Sequence, residues 1–248
     1  GRITHGTTVG TNALLENTGA RTALLTTSGF RDVLEIGRTQ RLVPQSLFDS
    51  KFIRPKPLVP RELRFEVAER ILADGSVEIA VQDDEILRQA ERLRELGVQA
   101  VAVCYLHAYA NGDNESKTAE NLRRKLPELF ISLSHEVVPE YREYERFSTT
   151  VINAYLGPKI RDYVARLNTE LQNKKYRSSF FIMTSNGGML DAKKDLLFPV
   201  QTILSGPAGG VVGSVALAEE LGLDHLITYD MGGTSTDVCL VRDRQPIV

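Results

Sequence analysis

Apolar positions along this chain switch between short continuous runs and a spacing of three and four, which predicts strands alternating with helices. Residues 21–28 (RTALLTTS) are an apolar run closed by Gly29, the mark of a buried strand followed by a helical turn over 30–36. Residues 63–72 and 77–81 read as two strands around Asp74-Gly75, a strong hairpin signal. Asp83 or Asp84 can cap a helix running to Leu96, with Gly97 as its stop. Ile86, Leu87, Ala90, Leu93 and Leu96 recur at helical spacing and lay one face on a sheet. The nearly unbroken apolar run 98–106 implies a strand buried on both faces. A helix over 115–126 and a strand over 130–133 complete a βαβ-type order.

The texture changes near Ser134. Residues 137–148 are crowded with charge, and the run 140–146 reads as a solvated helix face with i,i+3 and i,i+4 pairs. Val151, Ile152, Tyr155 and Leu156 form one apolar stripe; Ile160, Tyr163, Val164, Leu167 and Leu171 form another. Gly157-Pro158 between them predicts a kink or two abutting helices. Strands follow at 180–183, 225–229, 238–241 and 245–248, with a helix over 208–221 stopped by Gly222. The shift at residues 134–147 divides the chain into domains 1–140 and 141–248. Its two ends look cut from something longer, so the chain is expected to be a fragment.

Composition narrows the function classes. With Lys plus Arg at 30 against Asp plus Glu at 32, the net charge of -2 removes the electrostatic case for nucleic acid or an anionic membrane as partner. Hydrophobic residues at 42% and charged residues at 25% fit a globular domain rather than a disordered one. No apolar stretch approaches the roughly 20 residues of a membrane helix, and no signal peptide opens the chain. Cys104 and Cys239 sit in apolar runs and read as buried free thiols in a reducing cytoplasm. His5, His107, His135 and His225 are scattered without metal-ligand spacing.

The chemistry concentrates in glycine-rich clusters. Asp230-Met231-Gly232-Gly233-Thr234-Ser235-Thr236-Asp237 joins two apolar strands, so its glycines sit at a hairpin tip with bare backbone. Such N–H groups approach an anion closely, and the hydroxyls of Thr234, Ser235 and Thr236 add donors. Carboxylates beside a phosphate repel it unless a cation intervenes, so Asp230 and Asp237 point to Mg²⁺, held directly or through water. The string has neither the Gly-Lys-Ser/Thr ending of a Walker loop nor the helix that follows a Rossmann fingerprint. Ser205-Gly206-Pro207-Ala208-Gly209-Gly210 leads into a helix, where it can bind an anion or let the helix pack closely on its sheet. Thr184 to Gly188 reads as a plain turn. His5-Gly6-Thr7-Thr8 can line a substrate cleft or start a helix, with Arg38 and Arg41 downstream as anion contacts or solvated charges.

HGTTVGTNALLENTGARTALLTTSGFRDVLEIGR, SHEVVPEYREYERFSTTVINAYLGP, TSNGGM, SGPAGGVVG and YDMGGTSTDV occur in an order that resembles the hydantoinase A/5-oxoprolinase family, across essentially the whole chain. The resemblance implies an α/β fold of the actin, sugar-kinase and chaperone-ATPase type (ribonuclease H-like), with mixed sheets flanked by helices in two partial domains. It implies ATP and Mg²⁺ as cofactors and the opening of a cyclic amide, of hydantoin or 5-oxoproline type, by phosphorylation of the amide oxygen. On that resemblance Gly232, Gly233, Thr234, Ser235 and Thr236 hold phosphates, Asp230 and Asp237 are the catalytic and metal-linked carboxylates, and Gly206, Gly209 and Gly210 wall the nucleotide cleft. His5, Thr7, Thr8 and Arg38 would face the substrate. A first phosphate hairpin is implied upstream of the HGTT motif and an adenosine-contacting region downstream of the second hairpin, both outside this chain. A hydantoinase B-type partner subunit, homo-oligomers and a cytoplasmic location are further expectations. An ATP-dependent ketone carboxylase subunit, or a nucleotide-binding module without catalysis, would share the motifs.

Overall fold

The computed structural model describes residues 3–38, 51, 55–176, 179–192, 198–232 and 236–247. In chain order, β1 (Ile3–His5) and α1 (Val9–Leu15) precede β2 (Thr22–Thr27), α2 (Val33–Ile36), β3 (Arg64–Val67), β4 (Arg70–Ile71) and β5 (Val77–Ile79). Then come α3 (Asp83–Glu95), β6 (Ala100–Cys104), α4 (Asp113–Lys125), β7 (Phe130–Leu133), α5 (Ser134–Val137) and α6 (Glu143–Asn173). The last third holds β8 (Phe180–Met183), β9 (Met189–Asp191), α7 (Ser205–Leu221), β10 (Leu226–Met231), β11 (Thr236–Arg242) and β12 (Gln245–Ile247). The elements gather into two compact units, one of residues 19–158 and one of residues 1–18 with 159–248. The change of texture at 134–147 falls inside the first of these.

The 19–158 unit is built on a parallel sheet in the order β3-β2-β6-β7. Leu24 of β2 stands between Arg64 of β3 and Ala102 of β6. Every residue of β2 and of β6 is buried, as continuous apolar runs require when both sheet faces are covered. Ile86, Ala90 and Leu93 of α3 and Ala119 and Leu122 of α4 supply part of that cover. Asp83 and Asp84 lie in the first turn of α3 rather than capping it, favourably placed at the positive end of the helix dipole. The strand expected over 63–72 divides: β3 belongs to the main sheet, while β4 pairs only with β5 around the Asp74-Gly75 turn. The cause is local, since Glu69 N–H donates to the Val67 carbonyl at 2.9 Å and bends the chain off the sheet. The ends of the unit are tied together by the Ala20 amide, which donates to the Tyr155 carbonyl at 2.9 Å.

Two expectations about α6 are corrected. α6 is one continuous helix through Pro158 rather than two abutting ones. Gly157 is there for packing: a Cβ at that position would stand 2.3 Å from the Phe130 ring of β7. The charged run 140–146 is not uniformly solvated either, because Arg146 is completely buried. Arg146, Thr150 and Asn153 recur at i, i+4 and i+7, so they share the inward face of the helix with Phe147, Val151 and Ala154. Arg146 Nη2 donates to the Tyr105 carbonyl at 2.8 Å, Thr150 to the Arg146 carbonyl at 2.7 Å, and Asn153 to Ser132 Oγ at 2.9 Å. The Arg146 guanidinium also lies over the Tyr109 and Phe147 rings, while its Nε and Nη1 have no hydrogen-bond acceptor among the described residues.

The fully buried Glu115 ties the strand ends together. It accepts from Tyr105 N–H at 2.9 Å, Ser134 Oγ at 2.6 Å, His135 N–H at 3.0 Å and His135 Nδ1 at 2.7 Å. The hydrogen bond to Glu115 raises the His135 pKa above its ordinary 6.5. Protonated His135 therefore stabilises the fold fully below about pH 6.5, and the contribution disappears as pH rises through the raised value. Urea unfolding at pH 5.5 and 8.5 should show the native chain losing more stability with rising pH than His135→Gln does. Equal pH dependence in both proteins would remove Glu115 as the cause.

In the other unit β1 pairs in parallel with β8, and β8 antiparallel with β9 across the Thr184–Gly188 turn, where Gly187 has φ +79°. β10, β11 and β12 form an antiparallel meander. Helix α7 packs on β8 and β10. It starts at Ser205, so Gly206, Gly209 and Gly210 are helix residues rather than a loop before one. Pro207, which needs no N–H partner in a first turn, suits that start, and Gly222 ends the helix in the left-handed conformation. Burial alternates along β11, leaving Val238 and Leu240 exposed on the same face as Ile227, Tyr229 and Met231 of β10 and Ile247 of β12. Cys104 is buried as expected, whereas Cys239 is only partly so.

Candidate functional site

The register of the β10–β11 hairpin sets Asp230 directly opposite Asp237. Two like charges across neighbouring strands destabilise a sheet unless something positive or protic lies between them. Gly232 and Thr236 flank the turn; Gly233, Thr234 and Ser235 at its tip lie outside the described residues. The side chains of Thr228, Asp230, Asp237 and Cys239 fall on the hairpin face opposite the exposed apolar one, by the two-residue alternation of strands. Between that hairpin and the first turns of α7 opens a cleft of about 590 Å³. Pro207, Ala208, Gly210, Val211 and Ser214 line it from the helix.

Gly210 keeps the cleft wide, since a Cβ there would meet nothing within 4 Å. Gly209 instead serves close packing, with Met183 Sδ 3.1 Å from where its Cβ would stand. The cleft thus takes one of the three glycines singled out in SGPAGG, while Gly206 abuts Thr8 Cγ2 at 3.1 Å in the same sense. At the head of α7, Leu204 holds a left-handed φ of 60°, an uncommon conformation for a residue with a branched side chain.

The HGTT cluster meets α7 from a distance of nearly two hundred residues. Ser205 Oγ donates to the Thr7 carbonyl at 3.0 Å and accepts from Thr7 N–H at 3.1 Å. Leu204 N–H donates to Thr11 Oγ1 at 3.1 Å. A Cβ on Gly6 would stand 2.7 Å from the Ser205 carbonyl oxygen, so only glycine permits this approach. Thr7 is buried, and its hydroxyl accepts from Val9 N–H at 3.2 Å; Thr8 flanks α1 without a side-chain cap. His5 Nε2 lies 2.7 Å from the Tyr163 hydroxyl and near the Phe180 ring, and partial burial lowers its pKa, keeping the imidazole neutral at pH 7. Arg38 belongs to the 19–158 unit and is ion-paired with Glu145 there. Arg41 lies outside the described residues.

The structure thus brings Gly210, Asp230 and Asp237 to one cleft and joins the HGTT cluster to the start of its helix. Sequence reasoning missed Thr228, Cys239 and Ser214 as lining residues. The signal was present: Thr228 and Cys239 each lie two residues from an aspartate on the same strand, and Ser214 lies one helical turn beyond Gly210, to whose carbonyl it donates at 2.8 Å. Among the described residues no group of three or more His, Cys, Asp or Glu could hold a metal. Any cation between Asp230 and Asp237 would take most of its oxygen ligands from water or a bound phosphate, which suits Mg²⁺ and not a closed zinc site. Among the described residues no helix is long and apolar enough to cross a membrane.

Known proteins resemble this chain along most of its length. Residues 1–126 match the hydantoinase/oxoprolinase N-terminal region, and residues 146–248 match the hydantoinase/oxoprolinase family. Caprolactamase subunit alpha of Pseudomonas jessenii is 37% identical over 96% of the chain, which covers 34% of that protein. The 5-oxoprolinase 1 of Arabidopsis thaliana is 34% identical over 95% of the chain, covering 20% of its length. The solved ATP-dependent caprolactamase superposes with a TM-score of 0.83 over 95% of this chain and 34% of its own. Nucleotide-free acetone carboxylase superposes with a TM-score of 0.85 at 25% identity, over 98% of this chain and 35% of its own. The chain spans about a third or less of these relatives, and within that span it belongs to the hydantoinase/oxoprolinase family.

Proposed function

We propose that this chain supplies the second phosphate-binding hairpin of an ATP-dependent enzyme that opens a cyclic amide. The observation that carries the reading is the pair of opposed aspartates, Asp230 and Asp237, facing a cleft whose other wall is a glycine-bearing helix start. An amide carbonyl is a poor electrophile, and its nitrogen a poor leaving group. In the proposed reaction a bond forms between the amide oxygen and the γ-phosphorus of ATP while the β,γ-bridging bond breaks and ADP departs. Water then adds to the activated carbon, the ring C–N bond breaks with its electron pair and a proton going to nitrogen, and a second water hydrolyses the resulting acyl phosphate to carboxylate and phosphate. Protein groups in such a transfer act by positioning and charge neutralisation.

On this reading Gly232, Gly233 and Thr234, with Ser235 and Thr236, offer backbone and hydroxyl donors to the phosphates. Gly210 keeps the helix wall free of a side chain, and the positive end of α7 favours the anion. Mg²⁺, when bound, would neutralise phosphate charge, and Asp230 and Asp237 would orient it through its waters. Neutral His5, held by Tyr163, is the proposed substrate-side proton acceptor, with Thr7 and Thr8 fixing its loop. A second subunit is proposed because the caprolactamase relative is itself named a subunit.

The test measures ADP release by the complete protein, with its partner subunit, on addition of a hydantoin, 5-oxoproline, caprolactam, or a ketone with bicarbonate. Release stimulated at least tenfold by one of the cyclic amides is expected. Stimulation by the ketone and bicarbonate alone would replace this reading with a carboxylase.

A further inference from the structure

A second cavity, of about 240 Å³, lies in the 19–158 unit beside β3, the edge strand of its parallel sheet. Three arginines line it, Arg31, Arg64 and Arg92, together with Glu62, Glu66 and Gln89. Nothing in the proposed amide chemistry uses them.

Arginine clusters usually resolve into ion pairs, and this one does so only in part. Arg64 is 2% exposed. Its Nε donates to the Val59 carbonyl at 2.9 Å and its Nη2 to Glu35 at 3.0 Å. Its Nη1 is buried without a hydrogen-bond acceptor among the described residues; the nearest carboxylate oxygen, on Asp32, is 3.7 Å away. Among the described residues the Nε of Arg31 is likewise buried without an acceptor, and its Nη2 lies 3.5 Å from the Arg61 carbonyl. Arg92 stacks its guanidinium 4.7 Å from the centre of the Phe65 ring, which leaves the in-plane N–H edge for a ligand, and its Gln89 contact is a long 3.5 Å. Of the two glutamates, Glu66 already accepts from Gly29 N–H at 2.8 Å.

A buried guanidinium nitrogen without an acceptor is costly, because it has lost water and gained nothing. Arg31, Arg64 and Arg92 line this one cavity, Arg31 and Arg64 each hold a buried N–H group without an acceptor among the described residues, and arginine N–H groups are strong charge-assisted donors to oxyanions. We propose that this cavity binds a small, doubly charged oxyanion, a phosphate or a short dicarboxylate, at a site separate from the Asp230–Asp237 cleft.

Calorimetric titration of the complete protein with inorganic phosphate, and in parallel with malonate, at constant ionic strength tests this. Saturable binding of at least one anion is expected, and whichever binds more tightly identifies the source chemistry. The double variant Arg31→Gln, Arg92→Gln should weaken that affinity at least tenfold. Glu62→Gln, which removes a repelling charge without touching an arginine, should tighten it severalfold. No saturable binding of either anion, an unchanged affinity in the double variant, or no tightening in Glu62→Gln would each overturn the proposal. Asp237→Asn should leave this binding intact; its loss there would move the site to the other cleft and overturn the assignment.

Discussion

Replacing Glu115 by alanine is expected to destabilise the 19–158 unit by roughly 3–5 kcal/mol, the range for breaking a buried, charged hydrogen-bond network. The carboxyl group accepts four hydrogen bonds from three residues: Tyr105, Ser134 and His135. Alanine would leave the backbone N–H groups of Tyr105 and His135 and the Ser134 hydroxyl without acceptors, the first and last of these in residues that are fully buried. Each orphaned group costs about 1–3 kcal/mol. The donors sit at the ends of β6 and β7, so their loss loosens the sheet at the point where its strands lead into loops. Glutamine keeps one acceptor oxygen and brings an NH₂ that must face a donor, so Glu115→Gln should recover only part of the loss. Thermal unfolding followed by circular dichroism should place Glu115→Ala about 10 °C or more below the native chain. A fall of only a degree or two would mean the network is spectator to folding.

The second large effect concerns the hairpin. On the proposed function, Asp237→Asn in the complete protein should lower substrate-stimulated ADP release at least a hundredfold, or roughly 2.7 kcal/mol of transition-state stabilisation. The substitution is nearly isosteric and leaves the Asp230 register in place, so the fold should persist. It should even relieve the repulsion between the opposed carboxylates, giving an unchanged or slightly higher unfolding midpoint. A variant that gains stability while losing turnover is the expected signature of charge kept for chemistry. Full turnover in Asp237→Asn would remove this residue from the phosphate site, whatever the substrate proves to be.

The α/β class was legible because its strands are buried on both faces and so read as unbroken apolar runs, with β6 the clearest case. The hairpin carrying Asp230 and Asp237 was legible for another reason: glycines between two strands leave few other options. What escaped sequence reasoning shares one physical cause. Arg146, Thr150 and Asn153 are polar residues on an inward helix face, where Arg146 donates to Tyr105 and Asn153 to Ser132, both far away in sequence, and polarity alone reads as solvent. Pro158 inside α6 escaped likewise, because Gly157 is required by the Phe130 ring, which no local pattern reveals. In SGPAGG the glycines look equivalent, yet Gly209 serves packing and Gly210 the cleft. The joining of Thr7 to Ser205 is a long-range fact with no local trace.

The unit of residues 1–18 and 159–248 is interrupted by the whole of the other. Its first strand, β1, precedes its partner β8 by some 170 residues. Such a pairing would ordinarily be slow, since an open loop of that length carries a closure entropy that must be met before any contact forms. The tie between Ala20 and Tyr155 changes the kinetics. Once residues 19–158 have folded, their ends lie side by side, and Lys159 can reach the Thr18 carbonyl. To the strands outside, the long insert then behaves as a short clamp. Order along the chain and order of folding thus differ: residues 19–158 are completed first, and β1, which precedes them, finds its place after them.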